Sequence, residues 1–154
     1  MRLAKLVFVV IAPIFLYSLS FAADIKRSAT ILETGGKVEV RDPKDKWIPA
    51  QIGMALNEGD IIRTLGDDSF AVVKLNGSET ATVEVKKNSQ LRLAQLTQDT
   101  DKKTQNTMLD LALGDILIKA DKLHSEKSKF EVRTPTSIVG VRGTTFSVSV
   151  EAVQ

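Results

Sequence analysis

Apolar and polar residues alternate with a period of two along most of the chain. GGKVEVRD (35–42) places Val38 and Val40 on one face and charged residues on the other, and QLRLAQL (90–96) alternates in the same way. SFAVVKLNG (69–77) is almost continuously apolar, as in a strand that is covered on both faces. No segment sustains a 3.6-residue period with helix caps. The pattern predicts an all-β domain of many short strands, arranged as a compact sandwich or as a short β-solenoid.

Turn signals and polar stretches divide this pattern. Asn76 and Gly77 favour a tight turn because both tolerate positive φ, so we expect a hairpin between the strand before them and ETATVEVKK (79–87). TQDTDKKTQNT (97–107) has no apolar residue and predicts an exposed loop. DKLHSEKSK (121–129) predicts a second polar connection. The segments between these breaks have the lengths of strands.

The sequence L-x-x-G-D-I occurs twice, as LNEGDI and as LALGDI. Glycine permits a sharp bend, and an aspartate after it can accept hydrogen bonds from nearby backbone amides. Gly59 with Asp60, and Gly114 with Asp115, therefore predict two similar corners of a coiled or pseudo-symmetric β-structure. Two copies are also compatible with chance.

A permanent cation lies within the apolar C-terminal segment TSIVGVRGTTFSVSVE. In one regular strand, Arg142 falls on the same face as Phe146 and Val148, which is the expected core face. A buried guanidinium without a partner costs several kcal/mol, so the inward position requires an acidic partner, for which Asp60 and Asp115 are the candidates. We interpret Arg142 as an internal brace. A bulge at a neighbouring glycine would instead turn it outward, toward a ligand.

Trp47 is the only tryptophan. It either packs over the edge of the core or serves as a binding anchor, since tryptophan is enriched in interface hot spots. Ile48, Ile52 and Leu56 follow closely, which favours packing at the edge of the core. Trp47 and Arg142 are therefore the two candidate binding residues, with a structural role preferred for each.

The first residues have the organisation of an export leader. Arg2 and Lys5 precede the apolar run LVFVVIAPIFLYSL (6–19), and the small residues SFAA follow it. The apolar run is short for a membrane span of about 20 residues. A cleaved leader is therefore favoured over an N-terminal inner-membrane anchor. We expect residues 1–22 to be a signal peptide and residues 23–154 to form a single β domain that is periplasmic or secreted.

Charge and cysteine content narrow the class of partner. The chain has 21 Lys and Arg, 19 Asp and Glu, and a formal net charge of +2 at pH 7. The leader carries two of the basic residues and no acidic ones, so the mature chain is neutral and lacks the basic surplus that nucleic acid binding needs. With no cysteine, burial and backbone pairing hold the fold. We expect no nucleic acid partner and no membrane span after leader removal.

The residues that carry chemistry form no catalytic constellation. His124 is the only histidine and lies in a polar stretch, so nothing is placed to activate a serine. The carboxylates of Asp67 and Asp68, and of Asp99 and Asp101, lack the glycine turn and the bidentate glutamate of a calcium loop. We therefore expect no enzymatic activity, no metal and no cofactor.

Taken in order, several of these stretches resemble the FecR family, which is named for a periplasmic regulator of ferric-citrate transport. The most recognisable pieces are L-x-x-G-D-x-I-R-T and T-P-x-x-x-x-x-V-R-G-T-x-F, and GGKVEV, NSQLRL and LDLALGDILIK match as well. The motif positions are Gly59, Asp60, Arg63, Thr64, Gly114, Asp115, Thr134, Pro135, Gly140, Arg142, Gly143, Thr144 and Phe146.

The resemblance implies an all-β module outside the cytoplasm, without catalytic residues. In the regulator, this module receives a signal from an outer-membrane transporter, and a separate cytoplasmic helical segment controls a sigma factor. Here the export leader begins at Met1, so we expect no such segment and no direct sigma-factor contact. We expect an exported module that binds an envelope protein in signalling or assembly. The alternative is a structural or adhesive module that binds a cell-wall polysaccharide.

Overall fold

The computed structural model describes residues 24–41, 46–77, 80–121, 127–143 and 145–151. Within these ranges the chain forms eleven β-strands and no helix. The strands are β1 Ile25–Lys26, β2 Ala29–Arg41, β3 Trp47–Pro49, β4 Ala55–Leu56, β5 Ile61–Leu75, β6 Ala81–Val85, β7 Gln90–Asp99, β8 Thr104–Ala120, β9 Lys129–Arg133, β10 Ile138–Gly140 and β11 Thr145–Val150. All eleven belong to one hydrogen-bonded sheet. The predicted all-β class is confirmed.

Three long strands divide this sheet into two halves. β2, β5 and β8 each contain a glycine with positive φ, which is Gly36, Gly66 and Gly114 respectively. We call half A the part built from β1, β3, β7, β9 and β10 with the segments 37–41, 61–65 and 104–113. We call half B the part built from β4, β6 and β11 with the segments 29–35, 70–75 and 114–120.

The two halves are joined by a closed ring of pairings, in which β5 and β8 each pair with both β6 and β7. The β5–β6 pairing confirms the predicted hairpin, but the tight turn expected at Asn76 and Gly77 is wrong, because Leu75 pairs with Ala81 and Asn76 does not have a positive φ. Among the described strands, only the β8–β9 pairing is parallel. A β-solenoid stacks its turns through parallel pairing. The antiparallel pairings therefore favour the sandwich-like arrangement.

Each half contributes one face to a single core. Half A provides Val38, Val40, Ile62, Leu91, Leu93, Leu96, Leu109, Leu111, Phe130 and Val132. Half B provides Ala29, Ile31, Leu56, Ala71, Val73, Leu75, Ala81, Val83, Val85, Ile116, Ile118 and Val148. Burial of each larger aliphatic side chain stabilises the fold by about 1.5–3 kcal/mol. Alternate residues of each strand point into this core, and the residues between them point the other way. Each half therefore has an outer face that is available to solvent and ligands.

The loop predicted at 97–107 is wrong. β7 and β8 extend into this stretch from both sides and pair with each other across a short turn. Gln105 and Thr107 are buried, and their side chains accept hydrogen bonds from the guanidinium of Arg27. These polar side chains are stable in the interior because Arg27, which is distant in sequence, satisfies their hydrogen-bonding groups. The local pattern of apolar and polar residues does not show that such a partner exists.

The two L-x-x-G-D-I copies do not form equivalent corners. Gly59 lies in the turn before β5, whereas Gly114 lies inside β8. Both have positive φ, of 98° and 88°. The carboxylate of Asp60 accepts a hydrogen bond from the Asn57 amide at 2.7 Å, whereas the contacts of Asp115 with its neighbours use its backbone. One glycine conformation thus serves two different local structures, and the predicted pair of similar corners is wrong.

Candidate functional site

One row of side chains runs across the outer face of half A. The strand register aligns one residue from each of seven strands, and residues directly opposite one another point to the same face. This arginine row consists of Trp47 on β3, Arg41 on β2, Ile61 on β5, Arg92 on β7, Asp110 on β8, Arg133 on β9 and Ile138 on β10. Neighbouring strands lie about 4.8 Å apart, so the arginines, on every second strand, repeat at about 10 Å.

Alternation along each strand places these arginines outside. Successive side chains of a strand point to opposite faces. Leu91 and Leu93 are buried in the core, so Arg92 between them faces solvent and is exposed. Arg133 is exposed for the same reason, next to the buried Val132. The outward charges are therefore a direct consequence of the apolar positions beside them.

Trp47 ends the row at the β3 edge, where its ring contacts guanidinium groups. Cζ of Arg63 lies 3.6 Å from the ring centroid, and Cζ of Arg41 lies 5.6 Å from it. Such cation–π contacts stabilise exposed sites by about 0.5–1 kcal/mol. The interpretation of Trp47 as packing over the edge of the core is therefore wrong. It relied on Ile48, Ile52 and Leu56, of which only Leu56 is buried, whereas Ile48 and Ile52 are exposed.

Glu39 holds Arg63 over the tryptophan ring. Arg63 donates from Nε and Nη2 to Glu39 Oε2 at 2.8 and 2.5 Å, and Lys37 Nζ lies 3.5 Å from Glu39 Oε1. The hydrogen bond from Arg63, reinforced by the charges of Arg63 and Lys37, lowers the pKa of Glu39 from its ordinary value of 4.5. Trp47, Arg41, Arg63 and Glu39 thus form one stacked, ion-paired group, the Trp47 cluster.

The emission of Trp47 is expected to report the titration of Glu39. Because the pKa of Glu39 is lowered in the folded protein, its contribution to stability is present above pH 4.5 and is lost as the pH falls through the lower folded value. Protonation of Glu39 is expected to release Arg63 from the ring, because the neutral carboxyl no longer holds the guanidinium there. Trp47 is the only tryptophan, so its emission should shift to the red in this acidic range while the far-ultraviolet circular dichroism is retained.

Two variants control this measurement. Glu39→Gln should show the red-shifted emission already at neutral pH and little further change on acidification. Asp99→Asn removes another carboxylate with a lowered pKa, which a backbone hydrogen bond from Lys102 causes, and it should keep the wild-type emission curve. A wild-type curve in Glu39→Gln would contradict the assignment.

Asp110 and Arg133 form an ion pair within the row. Arg133 donates from Nε to Asp110 Oδ1 at 2.8 Å and from Nη2 to Oδ2 at 2.6 Å, and this bidentate contact raises the pKa of the Arg133 guanidinium. Arg92 lies opposite Asp110 on the neighbouring strand, yet both carboxylate oxygens already bind Arg133. Among the described residues, Arg92 has no hydrogen bond or ion pair. Its guanidinium is therefore available to a ligand.

The L-x-x-G-D-x-I-R-T positions connect the row with the core. Arg63 points outward into the Trp47 cluster, and the next residue, Thr64, is buried. Thr64 Oγ1 donates to Lys86 O at 2.5 Å and accepts from the Ser89 amide at 2.9 Å. Asp60 closes the turn before β5, and its Oδ1 is buried without a hydrogen-bond partner in the described part of the chain. These contacts fix the position at which β5 enters half A.

The T-P-x-x-x-x-x-V-R-G-T-x-F positions form the exposed end of half A. β9 and β10 are joined by a turn in which the Thr134 amide donates to Ser137 O at 2.8 Å, and Pro135 in this turn is exposed. All three residues of β10, including Gly140, are exposed. Phe146 packs against the core, and Thr144 lies outside the described residues. The exposed part of this motif thus lies at the Ile138 end of the arginine row.

Arg142 is exposed, and its interpretation as an internal brace is wrong. That interpretation assumed one regular strand over 138–150, whereas the chain leaves the sheet between β10 and β11, where Gly143 has a φ of 57°. The break changes the phase of alternation, because Val141 is buried before it and Val148 after it. Arg142 follows Val141 and therefore points to solvent, where it stays a candidate binding residue.

The internal arginine of this fold is Arg27, which the sequence interpretation missed. It is 8% exposed. Its guanidinium donates to Thr97 O, Asn76 O and Asn106 O at 3.2 Å each, to Gln105 Oε1 at 2.6 Å, and to Thr107 Oγ1. The sequence contained a sign of this position. Arg27 is an alternate residue with Ala29 and Ile31, which begin the core face of β2, so alternation points its side chain inward as well.

The candidate metal and catalytic groups of the sequence are not brought together in the described residues. These residues contain no cluster of three or more His, Cys, Asp or Glu that could hold a metal ion. His124 lies outside them. Asp67 is paired with Lys87 at 3.1 Å, and Asp99 with Lys102 at 2.9 Å. The outer face of half A presents charged residues and one tryptophan to a ligand.

A family model described as FecR protein matches residues 60–154, which is more than half of the chain. The matched part includes the row from Ile61 to Ile138. It excludes Trp47 and Arg41, and with them the GGKVEV stretch on which the resemblance partly rested. Neither a curated protein nor a solved structure matches the chain.

Proposed function

Because the chain belongs to the FecR family, we propose that it is a non-enzymatic module of the cell envelope that takes part in signalling or assembly by binding another protein. The arginine row is the observation that carries this proposal. It presents arginine, tryptophan and isoleucine on one outer sheet face, and aromatic residues and arginine are enriched at protein interfaces and in their hot spots. The guanidinium of Arg92 is available for a charged partner group.

A cell-wall polysaccharide is the alternative ligand, and the state of Trp47 favours a protein over it. A sugar ring stacks on an open aromatic face. One face of Trp47 is covered by the Arg63 guanidinium at 3.6 Å, and the chain has no other tryptophan. The row thus presents mainly charged groups, and its one aromatic ring has a face covered by a guanidinium.

We propose further that the module acts outside the inner membrane, in the periplasm or as a secreted protein. Removal of the leader, residues 1–22, would leave residues 23–154 as a single domain. The leader lies outside the described residues. The described ranges contain no helix with the length and apolarity that a bilayer span requires.

Cross-linking from the two outer faces tests the proposed protein partner. Gln90 lies opposite Arg63 on the outer face of half A, and Thr82 lies on the outer face of half B, where it provides a matched half-buried control. With a photo-reactive residue at either position of the full chain in a bacterial envelope, adducts with a small set of envelope proteins are expected at position 90 and few at position 82.

Each outcome of this experiment is informative. Equal labelling from both faces, or no adduct together with sedimentation of the chain on purified peptidoglycan, would contradict a protein partner on half A.

The mass of the recovered chain shows whether the leader has been removed. Loss of residues 1–22 is expected, whereas an intact leader in the membrane fraction would indicate an N-terminal anchor.

A further inference from the structure

Within the arginine row, we propose a docking groove for an acidic segment of a partner protein, with Arg92 as its anchor. The inference rests on the proposed function and names the chemistry of the partner. The groove has a volume of about 370 Å³. Its lining includes the charged residues Glu58, Arg92 and Arg133 and the less polar Ala94 and Met108.

A β-bulge explains why a groove is present on an otherwise regular sheet face. The register between β7 and β8 shifts between Leu93 and Gln95, so that Ala94 is an extra residue on β7. Such a bulge bends its strand and interrupts the ladder. Ala94 and Arg92 both line the groove, and the small side chain of Ala94 leaves space beside Arg92.

Among the charged residues that line the groove, Arg92 is the one without an ion pair in the described part of the chain. The carboxylate of Asp110 is bound by Arg133 at 2.8 and 2.6 Å. The carboxylate of Glu58 lies 3.8 Å from Lys26 Nζ. These two acidic groups are therefore offset by their own basic neighbours, whereas Arg92 has no ion pair within the described ranges. Glu131, opposite Met108 on β9, is the other charged residue near the groove. Arg92 is thus the lining cation whose charge no described carboxylate offsets through an ion pair, and it is complementary to an added carboxylate.

The neighbours of Arg92 favour a peptide as the source of that carboxylate. A guanidinium can bind a carboxylate through two parallel hydrogen bonds. Apolar side chains flank the charged groups, with Ile61 beside Arg92 in the row and Ile138, 63% exposed, beside Arg133. A ligand that fills this surface carries acidic and apolar groups side by side, as an Asp- or Glu-containing protein segment does.

Short synthetic peptides of randomised sequence, presented on an array, are the probes for this groove. Peptides retained by the full chain should be enriched in Asp and Glu next to apolar residues. For the best peptide, fluorescence anisotropy should show binding weakened about tenfold or more by Arg92→Ala. Arg92→Lys should weaken binding less, because an ammonium keeps the charge but loses the paired donors. Replacement of Glu by Gln in the peptide should have the same effect as Arg92→Ala.

Lys74→Ala is the matched control, since Lys74 is an exposed cation on the outer face of half B. It should change the affinity by less than about twofold. Unchanged melting temperatures of the Arg92 variants are expected, because Arg92 is exposed and its removal breaks no hydrogen bond or ion pair within the described residues.

The experiments distinguish an error in the groove proposal from an error in the proposed function. Absence of acidic enrichment, or acidic enrichment that persists in Arg92→Ala, would overturn the groove even when cross-links still form on half A. Equally tight, Arg92-dependent binding to phosphatidylglycerol vesicles would assign the site to a membrane surface and overturn the peptide assignment. Loss of all cross-links, with peptide binding intact, would contradict the proposed function alone.

Discussion

Replacement of Gly114 by alanine is expected to destabilise the domain by about 2–5 kcal/mol. At Gly114, β8 passes from half A to half B with a φ of 88°, which residues with a side chain rarely adopt. A Cβ at this position would lie 2.6 Å from the α-carbon of Ser89 and would also overlap its hydroxyl. Ser89 is held in place, because it is buried and its Oγ accepts a hydrogen bond from the Asp115 amide at 2.9 Å.

Two other glycines separate backbone strain from this steric overlap. Gly59 has a φ of 98°, but an added Cβ would meet no atom within 4 Å, so Gly59→Ala should cost only the strain, about 1–2 kcal/mol. Gly140 has neither a positive φ nor a neighbour within 4 Å, and Gly140→Ala should change the free energy of unfolding by less than about 0.5 kcal/mol. Urea unfolding of the three variants measures this order.

A Gly114→Ala variant no less stable than Gly59→Ala would contradict the prediction. It would mean that the crossing of β8 can shift away from Ser89 at little cost. A double variant, Ser89→Gly with Gly114→Ala, is a second check. It removes the hydroxyl but leaves the overlap with the backbone at position 89 and the positive φ, so it should recover little of the lost stability.

The all-β class of this protein was predictable from the sequence, but the division of the sheet into two halves was not. Alternation at Val38 and Val40 and in QLRLAQL is local, because each side chain takes its face from its immediate neighbours. The crossings at Gly36 and Gly66 are different, because each glycine bends its strand against partners that are distant in sequence. The stretch 97–107 presents the same difficulty. Its polar residues look like a loop in the sequence, because the buried partner that stabilises them, Arg27, is distant along the chain.

The candidate site shows the same limit. The outward position of Arg92 was predictable from the buried leucines on either side. Its alignment with Asp110 and Arg133 was not, because register between strands is set by the whole sheet and by the bulge at Ala94. The inward position of Arg142 was predicted from regular alternation over residues 138–150. Alternation holds only within an unbroken strand, and the chain leaves the sheet between β10 and β11.

Replacement of the buried Arg27 by methionine is expected to destabilise the domain by roughly 3 kcal/mol or more. Within the described residues, the guanidinium connects the segment before β2 with β7, β8 and the end of β5 through the five hydrogen bonds given above. Its loss leaves the side chains of Gln105 and Thr107 without this donor in the interior. The cavity beside them has a volume of about 10 Å³, enough for about one water molecule, which cannot replace five donors. Thermal unfolding followed by circular dichroism measures the loss.

Arg142→Met is the matched control, because it removes the same group from an exposed position, and it should leave the melting temperature nearly unchanged. Arg27→Lys should fall between the wild type and Arg27→Met, since one ammonium reaches fewer of the five acceptors. Arg27 precedes the part of the chain that matches the FecR family model, whereas its acceptors lie within that part. A strong effect therefore means that the N-terminal segment completes the family core, and equal stability of Arg27→Met and Arg142→Met would show that the core is stable without it.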